Sequence, residues 1–545
     1  MAGFPEGLHS SLLIICWEGN RSRFCGQGVL RMKVFAAIDV GSYELSMKIF
    51  EFSGKSTMRE IDHIRRRIDL GTETYSTGKL SSQKTAELCK CLKEYKEIME
   101  AYKVDAYKAY GTSAIREMEN KDIVLEQIAQ KTGVRIEPLS NSEQRFINYK
   151  SVAARGEEFD KMLEKGTVIV DIGGSSVQFS LFDKGTLLTT QNLRLGVLRL
   201  RERLGHINAR PAQLEEFLGE LDDAHLAVLN KLYFKDRKIE NIILVDDYLS
   251  LWVQEQREDA KEGRKGYVSA ARYADFMEEI RNKSNREIGA QLGIAEENIN
   301  LLFVSAVLLN RLFAATEAEL LWAPGATLCD GIAYEYAQQQ KIVISKHDFE
   351  KDILDCALHI SKRYMGSRKR AETLENFAVT VFDATKRLHG MGRRERLYLR
   401  LAAILHDCGK YISMSNIGEC SYAIILATEM IGLSHTEREI VANVVRFNYM
   451  EFMYYEEVNG RTSLDRAAYL KVAKLTAILR IASGLDRSHK QKTKSVKAVL
   501  TDKELVLQVD SKADMTLEKG LFVERTGFFE EIFNIRPVIR QKKEL

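Results

Sequence analysis

The sequence predicts a duplicated α/β fold, followed by an all-helical region and a small α/β tail. Three observations lead there. Two apolar runs, Val34 to Ile38 and Thr167 to Val170, end in similar turns, Asp39-Val40-Gly41-Ser42 and Asp171-Ile172-Gly173-Gly174-Ser175-Ser176. Each turn leads into a further strand pattern, Leu45 to Phe52 and Val177 to Phe182, as in a hairpin with glycine-rich turn chemistry. From about residue 345 strand signals stop and helical periodicity takes over. The spacing of 132 from Asp39 to Asp171 marks an internal repeat, and hence two similar halves facing each other across a cleft.

Met32-Lys33 begins the first strand pattern directly, so residues 1–31 are expected to be a disordered extension or to precede the true start. Between the repeats come amphipathic helices and a strand, Ala106 to Tyr110, running into Gly111-Thr112-Ser113-Ala114-Ile115-Arg116. In the second half, Asn241 to Val245 is a buried-strand run ending in Asp246-Asp247-Tyr248. Helical patterns follow over Ala371 to Leu388, Arg396 to Leu405, Ser421 to Ile431, Thr436 to Phe447 and Ala467 to Leu485. Strands return at Ser495 to Leu500 and Leu505 to Asp510, before a helix and the stretch from Phe522 onward. The expected domains are a first lobe at 32–155, a second lobe at 156–340, a helical domain at 345–490 and a small cap at 491–545.

A chain of 545 residues is too long for one core. Its 45% apolar and 29% charged residues are a soluble globular composition, and a net charge of +3 implies no wholesale nucleic-acid binding. Two basic spots, Arg65-Arg66-Arg67 and Lys490 to Lys497, are either solvated faces or polyanion contacts. Eight cysteines without a CxxC pair fit free thiols in a reducing cytoplasm. No apolar run is read as nearing the ~20 residues that span a bilayer. Leu12 to Trp17 lacks the flanks of a signal peptide.

A strand ending in Asp-x-Gly has a chemical logic. Glycine admits positive φ and lets backbone N–H groups approach a phosphate with no Cβ in the way. The neighbouring hydroxyl adds a donor, and the carboxylate can hold a divalent cation or orient water. Two such turns at equivalent points make a clamp for a phosphate chain.

In order and spacing, these turns and the Gly111–Arg116 segment resemble the exopolyphosphatase and guanosine pentaphosphate phosphohydrolase (Ppx/GppA) family. Leu195-Gly196-Val197-Leu198-Arg199-Leu200 and a helix ending near Asp330-Gly331 also match. The resemblance covers roughly residues 32–340 and continues more weakly to the C-terminus. It implies an actin/Hsp70-like (ASKHA, ribonuclease H-like) duplicated domain, then an HD-like helical domain and a small α/β domain. Members remove the terminal phosphate of inorganic polyphosphate, or the 5′-phosphate of guanosine pentaphosphate, with Mg²⁺. By the same resemblance Glu143 is the general base, Asp171 and Asp39 bind metal, and Gly41, Ser42, Thr112, Arg116, Gly173, Gly174, Ser175 and Ser176 contact phosphate. A cytoplasmic homodimer bound to neither membrane nor specific nucleic acid is expected.

Departures from the pattern point to weakened catalysis. Tyr43 and Glu44 stand where Asn and Ser are usual, and Glu44 would repel phosphate if it faced the cleft. Val177-Gln178 replaces Thr-Glu. Asp246-Asp247-Tyr248 replaces a Gly-Gly-Thr turn, which also argues against an ATPase with a glycine-rich adenosine loop. In the helical half, Leu405-His406-Asp407-Cys408-Gly409-Lys410 resembles the centre of an HD metal site, and Ala477 to His489 resembles its closing helix. The first histidine of that pattern falls on Arg370 and the closing aspartate on Ser483. An HD-like fold without metal hydrolysis is therefore expected, with His406 and Asp407 a remnant. Two readings stay open: a Mg²⁺-dependent phosphohydrolase, or a catalytically weakened sensor of a phosphorylated ligand.

Overall fold

The computed structural model describes residues 33–53, 57–174, 176–193, 195–200, 211–246, 248–256, 265–294, 296, 299–345 and 347–541. The readings of residues 1–31, Ser175 and Asp247 fall outside that set. The chain divides into two units. The first takes the described residues up to Gly185 together with Asn192–His347, and the second takes Thr186–Gln191 and the residues from Asp348 onward.

The first sheet holds β1 (Lys33–Val40), β2 (Glu44–Ser53), β3 (Thr57–Arg67), β4 (Ala106–Gly111) and β5 (Glu137–Pro138), in the order β3-β2-β1-β4-β5. Along the chain follow β6 (Thr167–Ile172), β7 (Val177–Asp183), β8 (Thr186–Leu193), β9 (Asn241–Val245), β10 (Tyr267–Ser269) and β11 (Leu320–Trp322). In the first unit the second sheet runs β10-β11-β9-β6-β7. β1 is antiparallel to β2 and parallel to β4, and β6 is antiparallel to β7 and parallel to β9. This is the repeated actin-like arrangement expected from the sequence.

The repeat holds at the level of single hydrogen bonds. Asp39 lies opposite Ser46, and Asp171 lies opposite Gln178. The Gly41 N–H donates to the Glu44 carbonyl at 3.0 Å, and the Gly173 N–H donates to the Ser176 carbonyl at 3.0 Å. β1 and β6 are central strands with neighbours on both sides, which explains their continuous apolar runs.

Both faces of the first sheet are covered. Ile38, Met47 and Ile49 pack with Leu88, Leu92 and Tyr95 of the Ser82–Ala101 helix. On the other face Phe35, Phe50 and Phe52 pack with Ile332, Ala333 and Tyr336 of the Leu328–Gln339 helix, which follows the second sheet in the chain. Phe35 and Tyr336 stack with ring centroids 4.1 Å apart. The sequence reading ended a helix near Asp330-Gly331, but a helix begins there. Asp330 accepts from the Thr327 N–H at 2.8 Å and from its hydroxyl at 2.6 Å, capping the first turn. Gly331 is where this helix crosses the Asn141–Ala153 helix, and a Cβ there would run into the Ile147 carbonyl.

One expectation about membranes needs correction. The Ile299–Thr316 helix is long and apolar enough to cross a bilayer by length and composition. It packs against the Pro211–Leu229 and Ala270–Asn282 helices of the first unit, and 56% of it is buried.

The second unit contains helices Phe349–Arg363, Arg368–Ala384, Arg393–Leu405, Ile417–Ala427, His435–Tyr449 and Arg466–Gly484. Then come β12 (Ser495–Leu500), β13 (Glu504–Asp510), the Thr516–Phe533 helix and β14 (Arg536–Gln541), with sheet order β12-β13-β14. The helix read at Ser421 to Ile431 lies four residues earlier. Its end is set at Thr428, where the backbone becomes extended before Ser434 caps the next helix.

Candidate functional site

A cavity of about 330 Å³ in the first unit is lined by both Asp-Gly loops. Of the residues singled out in the sequence, Asp39, Gly41, Ser42, Thr112, Asp171, Gly173 and Gly174 line it. Glu143, Arg116 and Ser176 are not among its lining residues. None of the three loop glycines has positive φ. Their role is space: a Cβ on Gly41 would lie 2.6 Å from the Glu44 carbonyl oxygen, and one on Gly174 would lie 2.8 Å from Leu198.

Glu143 is the third residue of the Asn141–Ala153 helix, and its carboxylate closes a capping box. Its Oε2 accepts from the Ser140 N–H at 3.0 Å and the Ser140 hydroxyl at 2.5 Å, while the Glu143 N–H donates to Ser140 Oγ at 3.3 Å. The side chains that this helix presents to the cavity are Gln144 and Asn148, four residues apart. A neutral amide cannot take a proton from water, so the cavity lacks a carboxylate at this turn. Arg116 donates to the Leu139 carbonyl at 2.8 Å and lies 3.4 Å from Gln144 Oε1.

Asp171 is buried at the end of β6, and both of its carboxylate oxygens are engaged. Oδ1 is paired with the Arg145 guanidinium, and Oδ2 accepts from Asn148 Nδ2 at 2.7 Å. Arg145 is 4% exposed and also donates to the Ser176 carbonyl at 2.9 Å and to Ser176 Oγ at 3.0 Å. One guanidinium therefore ties the strand end to the far side of its own loop. Mg²⁺ demands near-octahedral oxygen ligands, and a resident cation already occupies this carboxylate. Among the described residues no group of three or more His, Cys, Asp and Glu could hold a metal ion. Asp171 as it stands offers Mg²⁺ no open carboxylate oxygen, while Asp39, the other carboxylate expected to bind metal, lines the same cavity.

On the first loop, Ser42 Oγ lies 2.7 Å from Ser113 Oγ and 2.8 Å from the Tyr75 hydroxyl, and the Ala114 N–H donates to it at 3.2 Å. Tyr75 also donates to Ser113 at 2.8 Å, closing a triangle of hydroxyls that the sequence did not reveal. Glu44 does line the cavity, but Arg65 lies 2.5 Å from it. Tyr43 carries the Arg67 guanidinium over its ring, 4.7 Å from the centroid. Lys48 is buried between Asp330 at 3.0 Å and Glu60 at 2.9 Å. Burial, then Lys48 and Arg65, hold the His63 imidazole below its ordinary pKa, and its Nε2 lies 2.8 Å from Ser46 Oγ.

Asp246 explains the third loop. Its Oδ1 accepts from the Tyr248 N–H at 2.8 Å and the Leu249 N–H at 2.5 Å, and its Oδ2 accepts from Ser305 at 2.8 Å. The carboxylate takes up the Tyr248 and Leu249 amides just before the Leu249–Glu255 helix, where a glycine turn would leave amides for a ligand.

In the second unit, His406 and Asp407 are buried beside Arg370. Asp407 receives Arg370 at 2.5 Å, Lys410 at 2.7 Å and the Tyr449 hydroxyl at 2.6 Å, with His406 Nε2 3.2 Å away. His406 Nδ1 donates to the Ala403 carbonyl at 2.7 Å. Burial alone would raise the Asp407 pKa. His406, Arg370 and Lys410 outweigh it and hold the carboxyl far below its usual range.

Two phosphate-type loops on a duplicated actin-like sheet, facing one cavity, define the phosphate-handling class of that fold. The Ppx/GppA phosphatase family matches residues 49–318, and domain III of the same family matches residues 355–524. The chain belongs to the Ppx/GppA phosphatase family. A bifunctional 3-dehydroquinate synthase/phosphatase of Fusobacterium nucleatum is 25% identical over 40% of this chain, a match spanning only 31% of that protein's length. A guanosine-5′-triphosphate,3′-diphosphate pyrophosphatase of Vibrio atlanticus is 20% identical over 82% of this chain and 86% of its own. Among solved structures, a Cytophaga hutchinsonii exopolyphosphatase is 19% identical with a TM-score of 0.49, covering 57% of this chain and all of its own. The Aquifex aeolicus family member is 18% identical with a TM-score of 0.48, covering 58% of this chain.

Proposed function

We propose that the cleft binds a phosphate-chain ligand, inorganic polyphosphate or guanosine pentaphosphate, as a phosphohydrolase-type site whose turnover is weak. Family membership and the paired loops support the ligand class. The observation that carries the weakening is Gln144, which faces the cavity while Glu143 caps its own helix. Loop amides, and the cavity-lining hydroxyls of Ser42 and Ser113 once their mutual hydrogen bonds open, supply donors to phosphate oxygens. Arg145 holds the second loop in shape and brings a fixed positive charge to its base. The chain's own residues thus bind and orient phosphate, but the Asn141–Ala153 helix turns the amides of Gln144 and Asn148, not the Glu143 carboxylate, to the cavity.

A second reading, a competent phosphohydrolase with Glu143 as base, is favoured by one fact. Glu143 sits one residue from Gln144, and cap contacts of this kind can re-form when substrate binds. Phosphate release from long-chain polyphosphate and from guanosine pentaphosphate, with and without Mg²⁺, separates the two when run on wild type and Glu143→Gln. Calorimetry with the same ligands and ATP runs alongside. Binding with release near background, unchanged by Glu143→Gln, is expected. Brisk Mg²⁺-dependent release that Glu143→Gln abolishes would establish the second reading, and no binding of any ligand would sink both.

A further inference from the structure

The helical unit has a cavity of its own, about 370 Å³ in volume, lined among others by Arg370, Asp407, Lys410, Tyr364, Tyr411 and His489. It lies on the HD-like remnant, and its charges do not balance. Asp407 carries one negative charge and accepts from two cations, Arg370 at 2.5 Å and Lys410 at 2.7 Å. Its remaining partners, the Tyr449 hydroxyl and His406, add no further negative charge. His489 Nε2 lies 2.7 Å from Arg370 Nη2. Arginine only donates, so this ring nitrogen accepts and the imidazole is neutral. Burial, followed by Arg370 and Lys410, keeps His489 below its ordinary pKa. Asp486 stands behind this lining, accepting from Gln491, but among the lining residues themselves Arg370 and Lys410 outnumber Asp407, leaving guanidinium N–H groups and an ammonium to direct at a ligand.

The rim adds a second kind of contact. Tyr364 and Tyr411 meet edge to face, ring centroids 5.9 Å apart, and Tyr411 is 63% exposed. An exposed aromatic face beside a cationic pocket is the pair of contacts that a purine and its phosphates use. The volume is at the lower end of the range for small-ligand pockets. We propose that this cavity is a nucleoside-phosphate site, separate from the cleft of the first unit. Arg370 and Lys410 hold the phosphate and Tyr411 stacks on the base.

The test is calorimetry on the full chain with GTP, pyrophosphate and tripolyphosphate, using wild type, Lys410→Gln and Tyr411→Ala. Lys410→Gln leaves Asp407 its Arg370 and Tyr449 partners, and Tyr411 is exposed, so both variants are expected to fold, with at most a modest loss of melting temperature in Lys410→Gln. Wild type should bind GTP at a site that Lys410→Gln weakens about tenfold or more, in line with a lost charge-assisted hydrogen bond. Tyr411→Ala should weaken GTP about tenfold, as for loss of one stacked base, and leave pyrophosphate unchanged. A GTP isotherm identical in wild type and Lys410→Gln would overturn the site. Equal effects of Tyr411→Ala on GTP and pyrophosphate, or none on either, would overturn the nucleoside assignment. Binding in the cleft is scored separately, because neither variant touches it.

Discussion

Arg145 and Asp171 form a buried ion pair at the end of β6, with the guanidinium reaching across to Ser176 on the same loop. A strand-end carboxylate that could have met a cation from solution has one supplied by the chain.

Removing that cation should have two effects. Arg145→Ala leaves Asp171 buried with Asn148 as its one side-chain partner among the described residues. It is expected to cost about 3–5 kcal/mol, the range for breaking a buried pair, read by denaturant unfolding. The freed carboxylate should also let Mg²⁺ raise the melting temperature of the variant, and Mg²⁺ should leave wild type unchanged.

Gln144→Glu places a carboxylate on the cavity side of the helix. Phosphate release from polyphosphate is expected to rise at least about tenfold, a modest share of what a positioned general base supplies. A variant that binds polyphosphate as wild type does, with no gain in release, would show that the missing base does not limit turnover.

Ser140→Ala removes the hydroxyl half of the capping box. A loss of about 1 kcal/mol is expected, the usual cost of an N-cap. Polyphosphate affinity should stay within twofold, because neither Ser140 nor Glu143 is among the cavity's lining residues.

Glu437 gives the helical unit an acid limit. Burial pushes its carboxyl up, but Arg394 at 2.6 Å and the Tyr398 hydroxyl outweigh that and lower its pKa below the ordinary 4.5. The charged form is favoured in the folded state, so its contribution is complete above about pH 4.5 and fades as pH falls through the lowered value. Glu437→Gln should lower the melting temperature at pH 7 and flatten its fall below pH 4.5.

The repeat was legible because it is written in local chemistry. Asp39 and Asp171 sit at the ends of apolar runs, and hairpin turns follow from short-range sequence. The general-base expectation for Glu143 came from the family resemblance, whereas the Ser140-x-x-Glu143 spacing is by itself that of a capping box, which is what Glu143 makes. Arg145 and Asn148 lie three residues apart on the face that meets Asp171, yet nothing local says that a strand 23 residues away will meet them. Tyr75 and Ser113 join Ser42 for the same reason of distance: they come from three separate segments. The Arg370 substitution was visible as a charge in the wrong place, and the structure supplies its partners.

The Leu328–Gln339 helix carries a consequence for dissecting the molecule. It is made last in the first unit, yet it roofs the sheet that is made first. A polypeptide cut between the repeats, or stopped at residue 327, leaves Phe35, Phe50 and Phe52 bare and should aggregate. The halves repeat one pattern, but they share one closing clasp, so nascent chains must wait for residue 339 before the first sheet is sealed.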